Sequence, residues 1–181
     1  MELLLGEHKP EMFAQAAFVV PSPGMPAVRL QGLVDTETSE ILAEMELAWR
    51  CLSDEPVLAV TGTSGKTTTA SLAAAMLHEQ GYAVFLGGNI GTPLSEYVLA
   101  GTRADVLVLE VSSFQLQTCT TFCPRAGILL NITPNHLDYH KDMEEYITAK
   151  FRLFRCQDEG DLAVLGADLR TAYLLPMLPA F

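Results

Sequence analysis

At 181 residues, with 22 acidic side chains against 11 lysines and arginines, the chain carries a net charge of −11. That balance argues against non-specific binding to nucleic acid or to anionic membranes, while leaving room for an anionic ligand at one local site. No basic n-region precedes the opening apolar residues, no apolar run is long enough to span a bilayer, and Cys51, Cys119, Cys123 and Cys156 form no metal-type cluster, so free thiols in a reducing cytoplasm are expected.

In chain order, Ala17 to Val20 reads as a strand running into a rigid loop, Ser22-Pro23-Gly24-Met25-Pro26, that cannot be helical. Ser39 is placed to cap a helix through about Trp49, with Ile41, Leu42, Met45 and Ala48 on one face. These elements make a poor domain alone, so residues 1–53 read as the tail of one domain and 54–181 as a second. Val57 to Val60 is a short apolar run suited to a strand covered on both faces. Thr61-Gly62-Thr63-Ser64-Gly65-Lys66-Thr67-Thr68 follows without a break. Leu72, Ala73, Met76 and Leu77 then recur at helical spacing, and Gly81 stands where a helix-ending glycine belongs.

The chemistry of that turn is phosphate binding. Gly62 and Gly65 let backbone N–H groups converge on an anion, and a helix starting near Lys66 aims its free N–H groups and positive dipole end there. Lys66 would neutralise phosphate charge and Thr67 would hold Mg²⁺ through its hydroxyl, with Gly62 to Thr68 as the cradle. The strict G-x-x-x-x-G-K-[ST] pattern is not met, because Val60 stands at its first glycine. An ordinary strand-turn-helix, with glycines serving only the turn, is the plainer alternative.

Next comes a strand from Tyr82 to Leu86, ending in Gly87-Gly88-Asn89-Ile90-Gly91-Thr92-Pro93, a loop at a strand's carboxyl end where Asn89 offers a donor and an acceptor. Asp105 to Glu110 is a strand closed by an acid suited to a Mg²⁺ ligand, or else a solvated strand-end glutamate. Ser112 to Leu116 opens a serine-capped helix. Ala126 to Leu130 is a further strand leading to Asn131-Ile132-Thr133-Pro134-Asn135-His136-Leu137-Asp138-Tyr139-His140, where two histidines and an aspartate fall within five residues. Asp142 with Glu145 resembles a capping box for a helix through about Cys156. Its apolar face of Met143, Tyr146, Ile147, Phe151 and Phe154 includes Lys150, either snorkelling or buried with a lowered pKa. Leu162 to Leu165 is a last strand before an apolar end, Leu174 to Phe181. This order predicts an α/β fold: a mostly parallel sheet with helices on both faces.

The segments SPGMP (22–26), TGTSGKTT (61–68), GGNIGTPL (87–94), LEVSSFQL (109–116), NITPNHLDYH (131–140) and AKFRLF (149–154) together resemble the Mur ligase family, nearest its D-glutamate-adding branch. The resemblance implies the family's P-loop-type central domain, incomplete here, behind the tail of a Rossmann-like N-terminal domain. It implies an ATP-dependent ligase of peptidoglycan precursor synthesis, acting in the cytoplasm on UDP-N-acetylmuramoyl-L-alanine and D-glutamate, with two Mg²⁺ ions. Lys66, Thr67 and Thr68 would bind ATP and Mg²⁺. Thr67, Glu110, His136 and Lys150 would belong to the metal site, Lys150 as a carbamate, and Lys66, His136 and Lys150 would be the catalytic set. Asn89, Ser112 and Gln115 would face the muramoyl-alanine end, with Ser22 to Gly24 near the uridine diphosphate. Ser64 and Asn135 depart from the family pattern, which usually has asparagine or lysine at the first and aspartate at the second. Against three-domain relatives the chain reads as a fragment inactive alone. A non-catalytic nucleotide-binding module, a folylpolyglutamate-synthase-like ligase and a small P-loop kinase are the rival expectations.

Overall fold

The computed structural model describes residues 3–22, 24–25, 27–135 and 139–169. The expected site residue His136 and the apolar run 174–181 lie outside them.

Five parallel strands form the main sheet: β3 (Val57–Thr61), β4 (Val84–Gly88), β5 (Val106–Glu110), β6 (Ala126–Leu129) and β7 (Leu162–Leu165), in the order β4-β5-β3-β6-β7. Upstream, β1 (Phe18–Val19) and β2 (Glu40–Ile41) form a separate parallel pair. The helices are α1 (Glu44–Trp49), α2 (Lys66–Glu79), α3 (Leu94–Ala100), α4 (Ser113–Gln117) and α5 (Met143–Phe151). The parallel sheet with helices on both faces agrees with the sequence reading.

Alternate strand residues divide the interior. Val57, Ala59, Leu107, Leu109 and Leu129 face a core shared with Met45 and Ala48 of α1, Leu94 and Tyr97 of α3, Leu116 of α4, and Ile147 and Phe151 of α5. Val60 and Val108 face a smaller core closed by Ala70 and Ala74 of α2, with Leu58, Ile128 and Leu130 at its margin. The near-continuous burial of β3 follows from its place between β5 and β6 with helices on both faces.

Three local expectations are corrected. The helix expected from Ser39 begins only at Glu44, because Glu40 and Ile41 pair with Phe18 and Val19 in β2. Ser39 caps nothing and instead donates from Oγ to Ala16 O at 2.6 Å. Second, α2 buries only half of the stripe that revealed it: Ala73 and Leu77 pack at the margin of the smaller core, but Leu72 and Met76 are 60% and 62% exposed, and Ala70 and Ala74 meet the sheet. Alanines one turn apart let the helix approach β3 and β5 closely. Third, the α-helix expected to reach Cys156 stops at Phe151 and tightens into a 3₁₀ turn, Arg152–Phe154. Asp142 caps α5 as expected, accepting from Glu145 N, but the Glu145 carboxylate accepts from Lys141 N instead of closing the box on Asp142. Gly81, at φ +91°, follows the end of α2, and Gly81 N donates to His78 O while Tyr82 N donates to Leu77 O. That paired closure is why a glycine stands there.

On the α2 side, Leu162 and Val164 of edge strand β7 are 58% and 40% exposed, adding to Leu72 and Met76. So much exposed apolar surface beside β7, the outermost strand among the described residues, favours association. The chain is expected to elute well above its 19.7 kDa mass in size-exclusion chromatography at micromolar concentration. Leu162→Lys with Met76→Lys should shift it toward the monomer, and a sharp monomeric peak from the unaltered chain would contradict this.

Candidate functional site

The carboxyl ends of β3, β5 and β6 lie side by side, and the chain leaves β3 toward β4 but leaves β5 toward β6. In open α/β sheets, that reversal opens the crevice where ligands bind. The turn after β3 rises there. Gly62 sits close against the end of β6: a Cβ on it would lie 3.1 Å from Leu130 Cβ and 3.4 Å from Asn131 N. Gly65, at φ +83°, caps α2 in the left-handed region, with no side chain capping the helix. The first-turn N–H groups of α2 therefore remain for a ligand, on the positive end of a 14-residue helix.

The carbonyls of the turn, which would repel an anion, are engaged one after another. Gly62 O accepts from Lys150 Nζ at 2.9 Å, Thr63 O from Lys66 Nζ at 3.1 Å, and Ser64 O from Asn131 Nδ2 at 3.1 Å. The Thr63 hydroxyl lies 3.0 Å from Tyr146 Oη. The Lys66 ammonium and the free first-turn N–H groups of α2 converge on one spot beside the Lys150 amine, an arrangement that suits a polyphosphate.

Glu110, buried at the end of β5, accepts from Thr67 Oγ1 at 2.6 Å and from Asn89 Nδ2 at 2.8 Å. The predicted strand-end acid and loop hydroxyl are thus brought together, and Asn89 joins them. A carboxylate beside a hydroxyl supplies the hard oxygen donors that Mg²⁺ takes, so this pair fits the ion, with Glu110 and Thr67 as the residues that would hold it. Among the described residues no cluster of three or more histidine, cysteine or acidic side chains is assembled for a metal.

Lys150 is the less expected member. It is 2% exposed, and its ammonium sits 4.7 Å from the centre of the Tyr146 ring. Burial, with the nearby Lys66 charge adding to it, pulls its pKa down to about 7. The buried alternative applies rather than snorkelling.

The expected substrate residues separate. Ser22, Gly24 and Gln115 line one cleft between the N-terminal segment and α4, together with Met25, Phe114 and Tyr139. Tyr139 Oη donates to Met25 O at 3.1 Å across it. Ser112 instead caps α4: its Oγ accepts from Gln115 N at 3.3 Å, and its own N donates to Gln115 Oε1 at 3.0 Å. His140 of the expected histidine loop is buried, with Nε2 3.0 Å from Ser113 Oγ, and packs on Phe114 and Tyr146. Sequence reasoning missed Asn131, visible only as the first residue of a polar loop, and gave Tyr146 an apolar role although its hydroxyl reaches the phosphate turn.

Comparison with known proteins extends this picture. The family description "Mur ligase middle domain" matches residues 60–176. The UDP-N-acetylmuramoylalanine–D-glutamate ligase of Desulfovibrio desulfuricans is 85% identical over 167 residues, covering 92% of this chain and 38% of that protein. The enzyme of the same name from Nitratidesulfovibrio vulgaris (strain DP4) is 68% identical over 170 residues, covering 93% and 39%. Among solved structures, the UDP-N-acetylmuramate:L-alanyl-gamma-D-glutamyl-meso-diaminopimelate ligase of Neisseria meningitides shares the fold, with a TM-score of 0.54 at 22% identity over 88% of this chain and 55% of that one. The chain spans about 38% of the length of the curated relatives it matches.

Proposed function

This chain belongs to the Mur ligase family, and we propose from that premise that it carries the nucleotide-binding part of an ATP-dependent ligase that adds D-glutamate to UDP-N-acetylmuramoyl-L-alanine. The observation that carries the reading is the β3–α2 turn: Lys66 beside a left-handed Gly65 and a free helix N-terminus, with Thr67 bonded to Glu110.

In the reaction we assign to the whole protein, an oxygen of the alanyl carboxylate attacks the γ-phosphorus of ATP, and ADP leaves. The amine of D-glutamate then attacks the acyl carbon, loses a proton and expels phosphate, forming the amide. Catalysis of such a transfer is mostly positioning and charge neutralisation. Lys66, Thr67 and Thr68 hold the phosphates in this reading, with the uncapped first-turn N–H groups of α2 around them. Thr67 and Glu110 would hold Mg²⁺, which would supply further neutralisation of phosphate charge when bound. A lysine with a pKa of about 7 is substantially neutral at physiological pH, and its amine can add CO₂ with loss of a proton to give a carbamate. Lys150 is assigned that role, and His136 is assigned to the same metal and phosphate site from the family resemblance. Ser22, Gly24 and Gln115 are assigned to the uridine-diphosphate and muramoyl end on the strength of their shared cleft, with Asn89 and Ser112 assigned there from the family resemblance.

We also place the protein in the cytoplasm with small-molecule partners. Among the described residues no helix is long and apolar enough to cross a membrane, and a net charge of −11 disfavours nucleic acid. The division into 1–53 and 54–181 is kept as a proposal, with α1 of the first part packed on the core of the second.

Calorimetry with Mg-ATP tests the site. The chain is expected to bind, and Lys66→Ala to weaken binding at least about a hundredfold, since a charge-assisted contact to phosphate and the neutralisation of the turn go together. Circular dichroism should show the variant folded. Absence of binding by the unaltered chain would overturn the reading.

A further inference from the structure

We infer that Asn131 is a positioning residue that splints the phosphate turn, a reading that rests on the nucleotide-binding assignment above. Asn131 is the second residue after β6, at the start of the loop that follows it, and it grips two consecutive residues of the turn, Thr63 by its N–H and Ser64 by both its N–H and its carbonyl. Its Oδ1 accepts from Thr63 N at 3.1 Å and from Ser64 N at 2.9 Å. Its Nδ2 donates to Ser64 O at 3.1 Å. Its backbone carbonyl accepts from Thr63 N at 3.0 Å. Two residues further along, Thr133 N donates to Thr63 Oγ1 at 3.0 Å, and Thr63 Oγ1 donates in turn to Thr133 O at 3.2 Å.

The geometry has a chemical logic. A turn that delivers a phosphate-binding helix N-terminus must hold its own peptides in one orientation before the anion arrives. Otherwise the ordering entropy opposes binding. Gly62 and Gly65 supply the required backbone conformations and supply no rigidity. A carboxamide is the one neutral side chain that both accepts and donates at adjacent positions, so it can fix the Thr63–Ser64 peptides from outside without adding a charge next to the anion. A carboxylate would keep the acceptor half and repel the phosphates. A hydroxyl would be too short to span both residues. Ser64 fits the same scheme, because its two backbone groups are held while its small side chain leaves the carboxamide room.

The test uses the 181-residue chain, Asn131→Leu and Asn131→Asp, with amide hydrogen exchange read residue by residue, thermal unfolding, and calorimetry with Mg-ATP as the probe. In Asn131→Leu, the Ser64 amide, whose acceptor is the side chain alone, should exchange about tenfold faster or more, the Thr63 amide should change less because the Asn131 backbone carbonyl still accepts from it, and Mg-ATP affinity should fall about tenfold, while amides of β3 and β6 keep their protection. Asn131→Asp should restore protection at Ser64 but not the affinity. A residue that only stabilised the fold would loosen the sheet and the turn together, and aspartate would not separate the two readouts. Unchanged protection of the turn in Asn131→Leu overturns the inference, as does equal loosening of β3 and β6. If the leucine variant fails to fold, lost protection at Ser64 in Asn131→Asp overturns it equally. Failure of the unaltered chain to bind Mg-ATP would sink the nucleotide reading, while the exchange data would still decide whether Asn131 holds the turn.

Discussion

Glu46→Ala is expected to cost about 3–5 kcal/mol of folding stability, enough to unfold a marginal chain at room temperature. Glu46 is fully buried on α1, and its carboxylate is saturated. Oε1 accepts from Thr121 N at 2.9 Å, Thr121 Oγ1 at 2.7 Å, Thr120 Oγ1 at 3.1 Å and Arg50 Nε at 3.1 Å, while Oε2 accepts from Phe122 N at 3.1 Å. Truncation leaves the buried Phe122 N–H and the part-buried Thr121 N–H without acceptors, and strips Arg50 of one of its two carboxylates, the other being Glu40. Urea unfolding followed by circular dichroism measures the loss. Glu46→Gln, which keeps the shape and half the acceptors, should fall between. Burial alone would raise the pKa of Glu46, but the hydrogen bonds from Thr121, Arg50 and Thr120 outweigh it and hold the group below the usual carboxylate value. A carboxyl with a depressed native pKa lends stability that is present above its unfolded pKa and is lost as pH falls through the native one. Part of the acid instability of the chain, below about pH 4.5, should therefore disappear in Glu46→Gln.

The second large effect belongs to Lys150 and has the opposite sign. Its pKa is about 7 in the folded chain against an ordinary 10.5. Between those values the unfolded chain binds the proton and the folded one does not, so stability should rise with pH, by up to about 1.4 kcal/mol per unit. Below about pH 7 both states are protonated and the slope vanishes. Urea midpoints from pH 6 to 10, in buffer freed of CO₂, should show this rise in the unaltered chain, and Lys150→Met should flatten it. The same variant loses the bond to Gly62 O, so Mg-ATP binding should weaken even where stability improves. A parallel pH profile in the two proteins would refute the buried neutral amine.

The sheet was legible because its signals are local. Apolar runs at 57–60, 106–109, 126–130 and 162–165 each became a strand within a residue or so, since a parallel strand buried on both faces needs an unbroken apolar run. Where tertiary contact decides, the reading failed. Glu40 and Ile41 lie in a good helical pattern, and only Phe18 and Val19, over twenty residues away, draw them into a strand. Leu72 and Met76 marked α2 correctly as a helix but misreported its buried side, because the close approach of alanines to a sheet leaves no hydrophobic signature. Within the site, Lys66, Thr67 and Glu110 could be picked out by type and place and are found together. Asn131 and Glu46 could not. An asparagine opening a polar loop and a glutamate on a short helix look solvated until the distant backbone groups they bind are known.

The seating of α1 fixes what can be cut away. The polar stretch from Cys51 to Glu55 looks like the natural place to sever the two halves, yet Met45 and Ala48 lie within the core of the sheet that follows and Glu46 is stitched to residues 120–122. A shortened protein beginning at residue 54 would leave a hydrophobic hollow and unmet amides where α1 had been. One beginning ahead of Ala43 would take its own lid with it.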